Sequence, residues 1–248
     1  MLLSEGDTHL LFDAGISMRR LDGSLRQAGL QIQDIGGVLI THEHSDHISG
    51  LRTLLGRYAL PLYAPHTVAA RLGGMLPGAL ESLTVIPVGA EFGIGCLRVR
   101  AFHTPHDTDE SVGYRAEGAG GVFALATDMG TVTDEVLEGL LGADAVLIES
   151  NHDPDMLRAG GYPLLLKRRI LSDHGHLSNP DCARLAARLV QAGTGTVILG
   201  HLSRENNRPE LALETCRQAL GDSGARLYCA PVWGCLSLEV KGEAACLP

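Results

Sequence analysis

Within THEHSDHISG, Thr41 to Gly50, the chain sets His42, His44, Asp46 and His47 in an H-x-H-x-D-H run. Neutral imidazole suits Zn or Mn, and a carboxylate adds a hard oxygen ligand that balances charge. The run follows the apolar stretch GVLI, so it reads as a loop leaving a strand. At alternating spacing His42 and His44 point the same way if extended. A turn into the next helix then lets Asp46 and His47 face a second point, and one loop can feed two metal ions.

Further ligand-type residues close other apolar runs. HLLFDAG, FHTPHD, ALATDMG, LIESNHD and ILGHLS, like VLITHEH, each end in His, Asp or Glu. Strand ends of a layered sheet gather on one rim, which is where open sheets place their sites.

The elements that must position these residues are legible as short apolar runs. HLLFDAG, GVLITHEH, PLYAP, LTVIPV, LRVRAFHTPHD, SVGYRA, VFALATDMG, DAVLIESNHD, TVILGHLS, ARLYCAP and CLSLEV read as strands. Helical patterns cover Leu51–Tyr58, Thr67–Leu72, Thr133–Leu141, Asn179–Ala192 and Pro209–Leu220. Ser178 is a natural cap for the fourth of these, with Pro180 and Asp181 in its first turn. The pattern predicts one α/β domain over residues 1–248, strand-rich first and helix-alternating later.

Composition narrows the class. With 248 residues, 45% hydrophobic and 20% charged, the chain can bury a full core. A net charge of −9 supplies no global basic field for duplex DNA or a membrane. The start, MLLSEGDTHLLFD, lacks a basic segment followed by a long apolar run, so no signal peptide is expected, and no apolar stretch is long enough to cross a membrane. Cys96, Cys182, Cys216, Cys229, Cys235 and Cys246 show no C-x-x-C and no disulfide spacing, which predicts reduced thiols and a cytoplasmic location.

The histidine run resembles that of the metallo-β-lactamase superfamily, αββα sandwiches of hydrolases. The resemblance implies a four-layer αββα fold and a ligand set that can be carried over residue by residue. In HTPHD it points to His106, with His103 a neighbour; in ATDMG to Asp128; in ILGHLS to His201. The implied assignment puts His42, His44 and His106 on one ion and Asp46, His47 and His201 on the other, with Asp128 bridging. Two zinc or manganese ions about 3.5–4 Å apart would clamp a hydroxide nucleophile and the attacked oxygen. Asp13 resembles the family's strand-end aspartate and would orient a ligand histidine, although a turn aspartate before Gly15 is the simpler alternative.

The segment ESNHDPDMLRAGGYPLLLKRRILSDHGHLSNPDCA, Glu149 to Ala183, together with LGHLSRENN, resembles the YycJ/WalJ group, phosphodiesterases with 5′→3′ DNA exonuclease activity linked to mismatch repair. That resemblance runs from about Asp7 to about Leu220. Tyr162, Lys167, Arg168 and Arg169 add cations and a phenol to an acidic chain and are candidates for binding phosphates, or else a solvated helix face. His176 resembles a histidine placed beside the scissile phosphate in other nuclease branches, suited to stabilising charge or protonating the leaving oxygen. Glu149 is a candidate to hold His176 or a ligand, and His152 to line the pocket. Asp46 and Asp128 complete the expected catalytic set.

Members of the group begin with a further strand and a Gly/Ser-rich turn, so the first edge strand is expected to be missing or shortened, leaving the next one exposed. The reading is a two-metal 5′→3′ exonuclease on single-stranded DNA, recruited by repair-protein partners. Hydrolysis of a small ester, lactone or cyclic nucleotide by the same centre is the alternative.

Overall fold

The computed structural model describes residues 1–76, 78 and 80–241, so the expectation for Cys246 lies outside the described residues. Two sheets form the centre. The first is ordered β1 (Leu2–Glu5), β2 (Thr8–Phe12), β3 (Gly37–Leu39), β4 (Leu62–Ala64), β5 (Leu83–Val85), with β1 antiparallel to β2 and the others parallel. The second is ordered β12 (Arg226–Cys229), β11 (Thr196–Gly200), β10 (Ala145–Glu149), β9 (Gly121–Ala126), β8 (Val112–Gly118), β7 (Leu97–His103), β6 (Glu91–Ile94). In it β9 to β12 run parallel and β6 to β9 antiparallel.

Alternation along the strands builds the layers, because successive side chains point to opposite faces. Leu10, Phe12 and Leu39 face inward onto Val99, Val112, Tyr114 and Leu125, which form the core between the sheets. Leu11, Val38 and Ile40 face outward onto Leu21 and Leu25 of α1 (Met18–Gln27), with Leu51 and Leu54 of α3 (Leu51–Leu55) and Val68 and Leu72 of α4 (His66–Met75). On the far side, Ala124, Val146, Ile148 and Val197 pack on α5 (Asp134–Leu140), α8 (Asn179–Gln191) and α9 (Pro209–Leu220). The result is the four-layer αββα sandwich. Tyr114 ties the sheets together, donating its hydroxyl to Ile40 O at 2.6 Å.

The edge strand of the first sheet is short, as expected: β1 has four residues and pairs in register with β2, Glu5 opposite Thr8, through a two-residue Gly6-Asp7 turn. Gly6 takes φ 52°, the type II′ geometry of a tight hairpin. Two expectations change. CLSLEV forms no strand; after β12 the chain leaves the sheet edge at Pro231 and turns at Gly234, φ 84°. Helices α1, α2 (Ser45–Ile48), α6 (Pro154–Ala159) and α7 (Leu164–Ile170) add to the five read from sequence. Among the described residues no helix is long and apolar enough to cross a membrane.

Candidate metal centre

The strands deliver their terminal residues to one rim. Asp13 follows β2, Asp128 follows β9 and His201 follows β11, and these three are the non-glycine residues with positive φ among the described residues, at 58°, 57° and 55°. That left-handed turn is disfavoured for L residues and recurs where function over-determines a conformation. It ends each strand abruptly and presents the side chain at the rim. The H-x-H-x-D-H loop follows β3, with His44 capping α2 and Asp46 in its first turn.

The loop is held by backbone contact that tolerates no side chain. Ala14 N donates to His47 O at 2.7 Å and Gly50 N to Ala14 O at 2.8 Å. A Cβ on Gly15 would lie 1.4 Å from Asp46 O, and one on Gly50 would lie 2.1 Å from Ile16 O. Sequence reasoning passed over both glycines, and nothing local to them signalled a contact made across the fold.

Asp13 organises the loop's imidazoles. Its Oδ2 accepts from Thr41 Oγ1 at 2.9 Å and pairs with His47 Nδ1 at 2.8 Å, while Oδ1 accepts from Thr41 N at 2.9 Å. Thr41 Oγ1 also lies 3.0 Å from His42 Nδ1. Thr41, absent from the sequence reading, therefore links Asp13 to two histidines. With each Nδ1 engaged, the Nε2 atoms of His42 and His47 are turned into the cluster.

The facing atoms form overlapping donor sets. His42, His44 and His106 make one, Asp46, His47 and His201 another, and His42, His47 and Asp128 a third, each with donor atoms within 4.8 Å of one another. His106 Nε2 is 3.2 Å from His44 Nδ1. Asp128 reaches both groups, with Oδ1 3.6 Å from His106 Nε2 and 3.4 Å from His201 Nε2, and Oδ2 3.2 Å from His47 Nε2.

These residues fit a divalent cation. His42 Nε2 is buried without a hydrogen-bond partner, a costly arrangement unless something binds it. Burial, then the neighbouring His47, pushes the His42 imidazole down to about 3, so it stands neutral with a lone pair available. Burial likewise lowers His106, outweighing Asp128. Burial opposes charge on His47 and His201, yet Asp13 and Asp128 lift His47 to about 10, and Asp128, Asp46 and Glu149 raise His201. The carboxylates thus favour positive charge on these rings, and a bound cation would supply that charge in place of the protons.

Glu149, with no exposed surface, sits beneath the cluster. Its Oε1 accepts from His176 Nδ1 at 2.7 Å and His201 Nδ1 at 2.9 Å, and its Oε2 from Met129 N at 2.9 Å and Leu177 N at 3.3 Å. Both oxygens are occupied, so the carboxylate orients the two rings. His176 stacks on His201 with ring centroids 5.4 Å apart. Burial disfavours its charge, but the Glu149 hydrogen bond raises its pKa above the usual histidine value.

Two cavities open here. One of about 290 Å³ is lined by His44, Asp46, His106, Asp128, Arg169, His176 and His201. The other, of about 540 Å³, adds Asn151, Tyr162, Leu166, Leu202 and Arg204 around the shared Asp46, Arg169, His176 and His201. Of the Lys167-Arg168-Arg169 run, the structure brings Arg169 to these cavities, ion-paired with Asp107. Lys167 donates to Arg158 O at 2.6 Å, and neither it nor Arg168 lines either cavity. Consecutive helical residues are about 100° apart, so three in a row cannot share one narrow face. His152 is buried, 1% exposed, and lines neither cavity. Its strand-end position made it look like a pocket residue, but its backbone bridges Ser178 and its ring points into the protein. His103 is exposed and pairs with Glu135 at 3.0 Å.

The chain is similar to known proteins in sequence and in fold. The family model for the beta-lactamase superfamily domain matches residues 8–202. The chain is 40% identical over 218 residues to Exodeoxyribonuclease YycJ of Bacillus anthracis, covering 87% of this chain and 82% of that protein. It is 39% identical over 206 residues to Exodeoxyribonuclease WalJ of Streptococcus pneumoniae serotype 2 (strain D39), covering 82% and 77%. In structure it is similar to the metallo-β-lactamase fold protein YhfI of Bacillus subtilis, with a TM-score of 0.68 at 18% identity over 92% of this chain and 87% of that one. Ligand-bearing strand ends on an αββα rim, a family match over most of the length and relatives near 40% identity agree: the chain belongs to the beta-lactamase superfamily, in the group of the YycJ and WalJ proteins.

Proposed function

We propose that this chain is a two-metal phosphodiesterase that removes nucleotides from the 5′ end of single-stranded DNA. The observation that carries the reading is that Arg169 and His176 border both the ligand cluster and the larger cavity. A fixed cation and a protonatable imidazole thus flank the place where a phosphodiester would meet the cluster. When bound, a pair of divalent ions supplies Lewis-acid activation of water and of a phosphoryl oxygen. His42, His44 and His106 would hold one ion and Asp46, His47 and His201 the other, with Asp128 within reach of both groups.

The remaining steps belong to the chain's own groups. Arg169 binds a non-bridging phosphate oxygen through a charge-assisted contact. His176, its Nδ1 fixed by Glu149, presents Nε2 to the reaction and gives a proton to the departing 3′-oxygen. The cavity of about 540 Å³, walled by Tyr162, Leu166 and Leu202, has the size and mixed polarity that suit one nucleotide. That supports action at a strand end. The net charge of −9 offers no extended basic surface for duplex DNA, so delivery to damaged sites during mismatch repair would fall to protein partners. The free thiols of Cys96, Cys182, Cys216, Cys229 and Cys235 suit a reducing cytoplasm.

The test is digestion of end-labelled single-stranded DNA, with and without a 5′-phosphate, in Mn²⁺ and in Zn²⁺. Release of nucleotides from the 5′ end, abolished by Asp128→Ala, is the expected result. Intact DNA alongside efficient hydrolysis of bis-nitrophenyl phosphate would leave a metal hydrolase and overturn the nuclease reading.

A further inference from the structure

Trp233 is the chain's single tryptophan, and it is 72% exposed. A large aromatic left in water is unusual for an element with only structural work to do. Its surroundings are built. The Arg20 guanidinium lies 4.8 Å from the ring centroid, and Arg20 Nη2 donates to Val232 O at 3.0 Å. The sole acid of α1, Asp22, is paired with Arg26 at 3.0 Å, which leaves the Arg20 charge unneutralised among the described residues.

Topology places this pair on the functional rim. β12 runs parallel to β11, so it ends on the side where β11 delivers His201. Ala230 N donates to Leu199 O at 2.8 Å, and Trp233 stands three residues further on, a span of at most about 11 Å. Arg20 is in the first turn of α1, whose preceding loop touches the Asp46 backbone at Gly15. The segment Pro231–Trp233 thus leaves the edge of one sheet to meet the outer helix of the other, beside the metal centre. Val232, the residue before Trp233, is itself 44% exposed.

We infer that Trp233 and Arg20 form a base-stacking platform that holds the single-stranded DNA beyond the nucleotide being cleaved. This rests on the nucleic-acid reading above. Proteins that track single strands without sequence preference pair aromatic faces for the bases with cations for the backbone. A chain with a net charge of −9 needs such a contact to be local. An exposed ring with a fixed, unneutralised guanidinium against it supplies both parts within a few nucleotides of the ligand cluster. The ring stacks a base, and Arg20 meets the adjoining phosphate.

The single tryptophan also makes the test direct. Metal-loaded protein is titrated with a dye-labelled, phosphorothioate-linked oligothymidylate, reading dye anisotropy for binding. A parallel titration with the unlabelled oligonucleotide reads tryptophan emission for stacking. The expected result is saturable quenching of Trp233 that tracks the anisotropy curve. Trp233→Ala should weaken Kd by roughly 5- to 150-fold, the range for loss of one stacked base. Trp233→Phe should restore most of the affinity, and Arg20→Ala should weaken binding and flatten its salt dependence. Binding by anisotropy with unmoved tryptophan emission, or with the same Kd in Trp233→Ala, overturns the platform and leaves the nuclease reading standing. No binding by either signal overturns both.

Discussion

Replacing Glu149 by glutamine tests how the centre is oriented, because the side chain keeps its shape and loses only its charge and one acceptor. The buried amide has two settings. With its NH2 toward Met129 N and Leu177 N, donors face donors, and each unsatisfied buried group costs ~1–3 kcal/mol. The other setting keeps the oxygen on the backbone and turns the NH2 to the rings of His176 and His201. Both rings must then accept at Nδ1, which moves the proton to Nε2. For His201 that is the atom 3.4 Å from Asp128 and 3.6 Å from Asp46, the one that would ligate an ion. Loss of an orienting partner of this kind typically lowers metal affinity or activity by about 10–100-fold. Glu149→Gln should therefore weaken binding of an ion at the Asp46, His47 and His201 group by about that factor, measured by chelator competition, with circular dichroism confirming an intact fold. Metal affinity equal to that of the wild type would refute the assignment of Glu149 as the positioning group.

Other consequences are open to measurement. Arg169→Ala should raise KM for DNA by roughly ten-fold or more, as loss of a charge-assisted phosphate contact requires, while Lys167→Ala should leave it near wild type; equal effects would show that the helix presents both cations to substrate. Gly15→Ala forces the Asp46 backbone to move, so metal content by mass spectrometry should fall sharply even where the protein remains folded. In chelated protein His47 carries a pKa raised from 6.5 to about 10, so its stabilising contribution is full below pH 6.5 and lost as pH rises toward 10. The thermal midpoint of chelated protein should decline across that window, and the decline should shrink when the metal is restored, because a ligating His47 is already deprotonated; a flat profile in the chelated form would contradict the His47–Asp13–Asp128 pairing.

The ligand loop was the most legible feature, because H-x-H-x-D-H concentrates rare side chains within a few positions. Strand-terminal Asp128 and His201 were legible for a related reason: a polar residue closing an apolar run stands out against period-two alternation. Residues whose role depends on another part of the fold were not. Thr41 reads as an ordinary strand-end threonine until Asp13, His42 and His47 surround it. The Gly15 and Gly50 contacts exist only after β2 and β3 pair. His152 failed in the opposite direction, since it occupies a strand end yet turns inward. β1 was missed although Gly6-Asp7 between two short apolar runs is a hairpin signal. CLSLEV had the composition of a strand but no partner among the described residues to form a ladder with, which local pattern cannot reveal.

The central claim is that the rim cluster works as a pair of divalent ions shared through Asp128. The most direct measurement is stepwise reloading of chelated protein with Mn²⁺, following ions bound per chain and bis-nitrophenyl phosphate hydrolysis in the same samples. The account predicts little activity at the first equivalent, full activity at the second, and failure of Asp128→Ala to reach either plateau. Full activity at one ion per chain, or in Asp128→Ala, would contradict it.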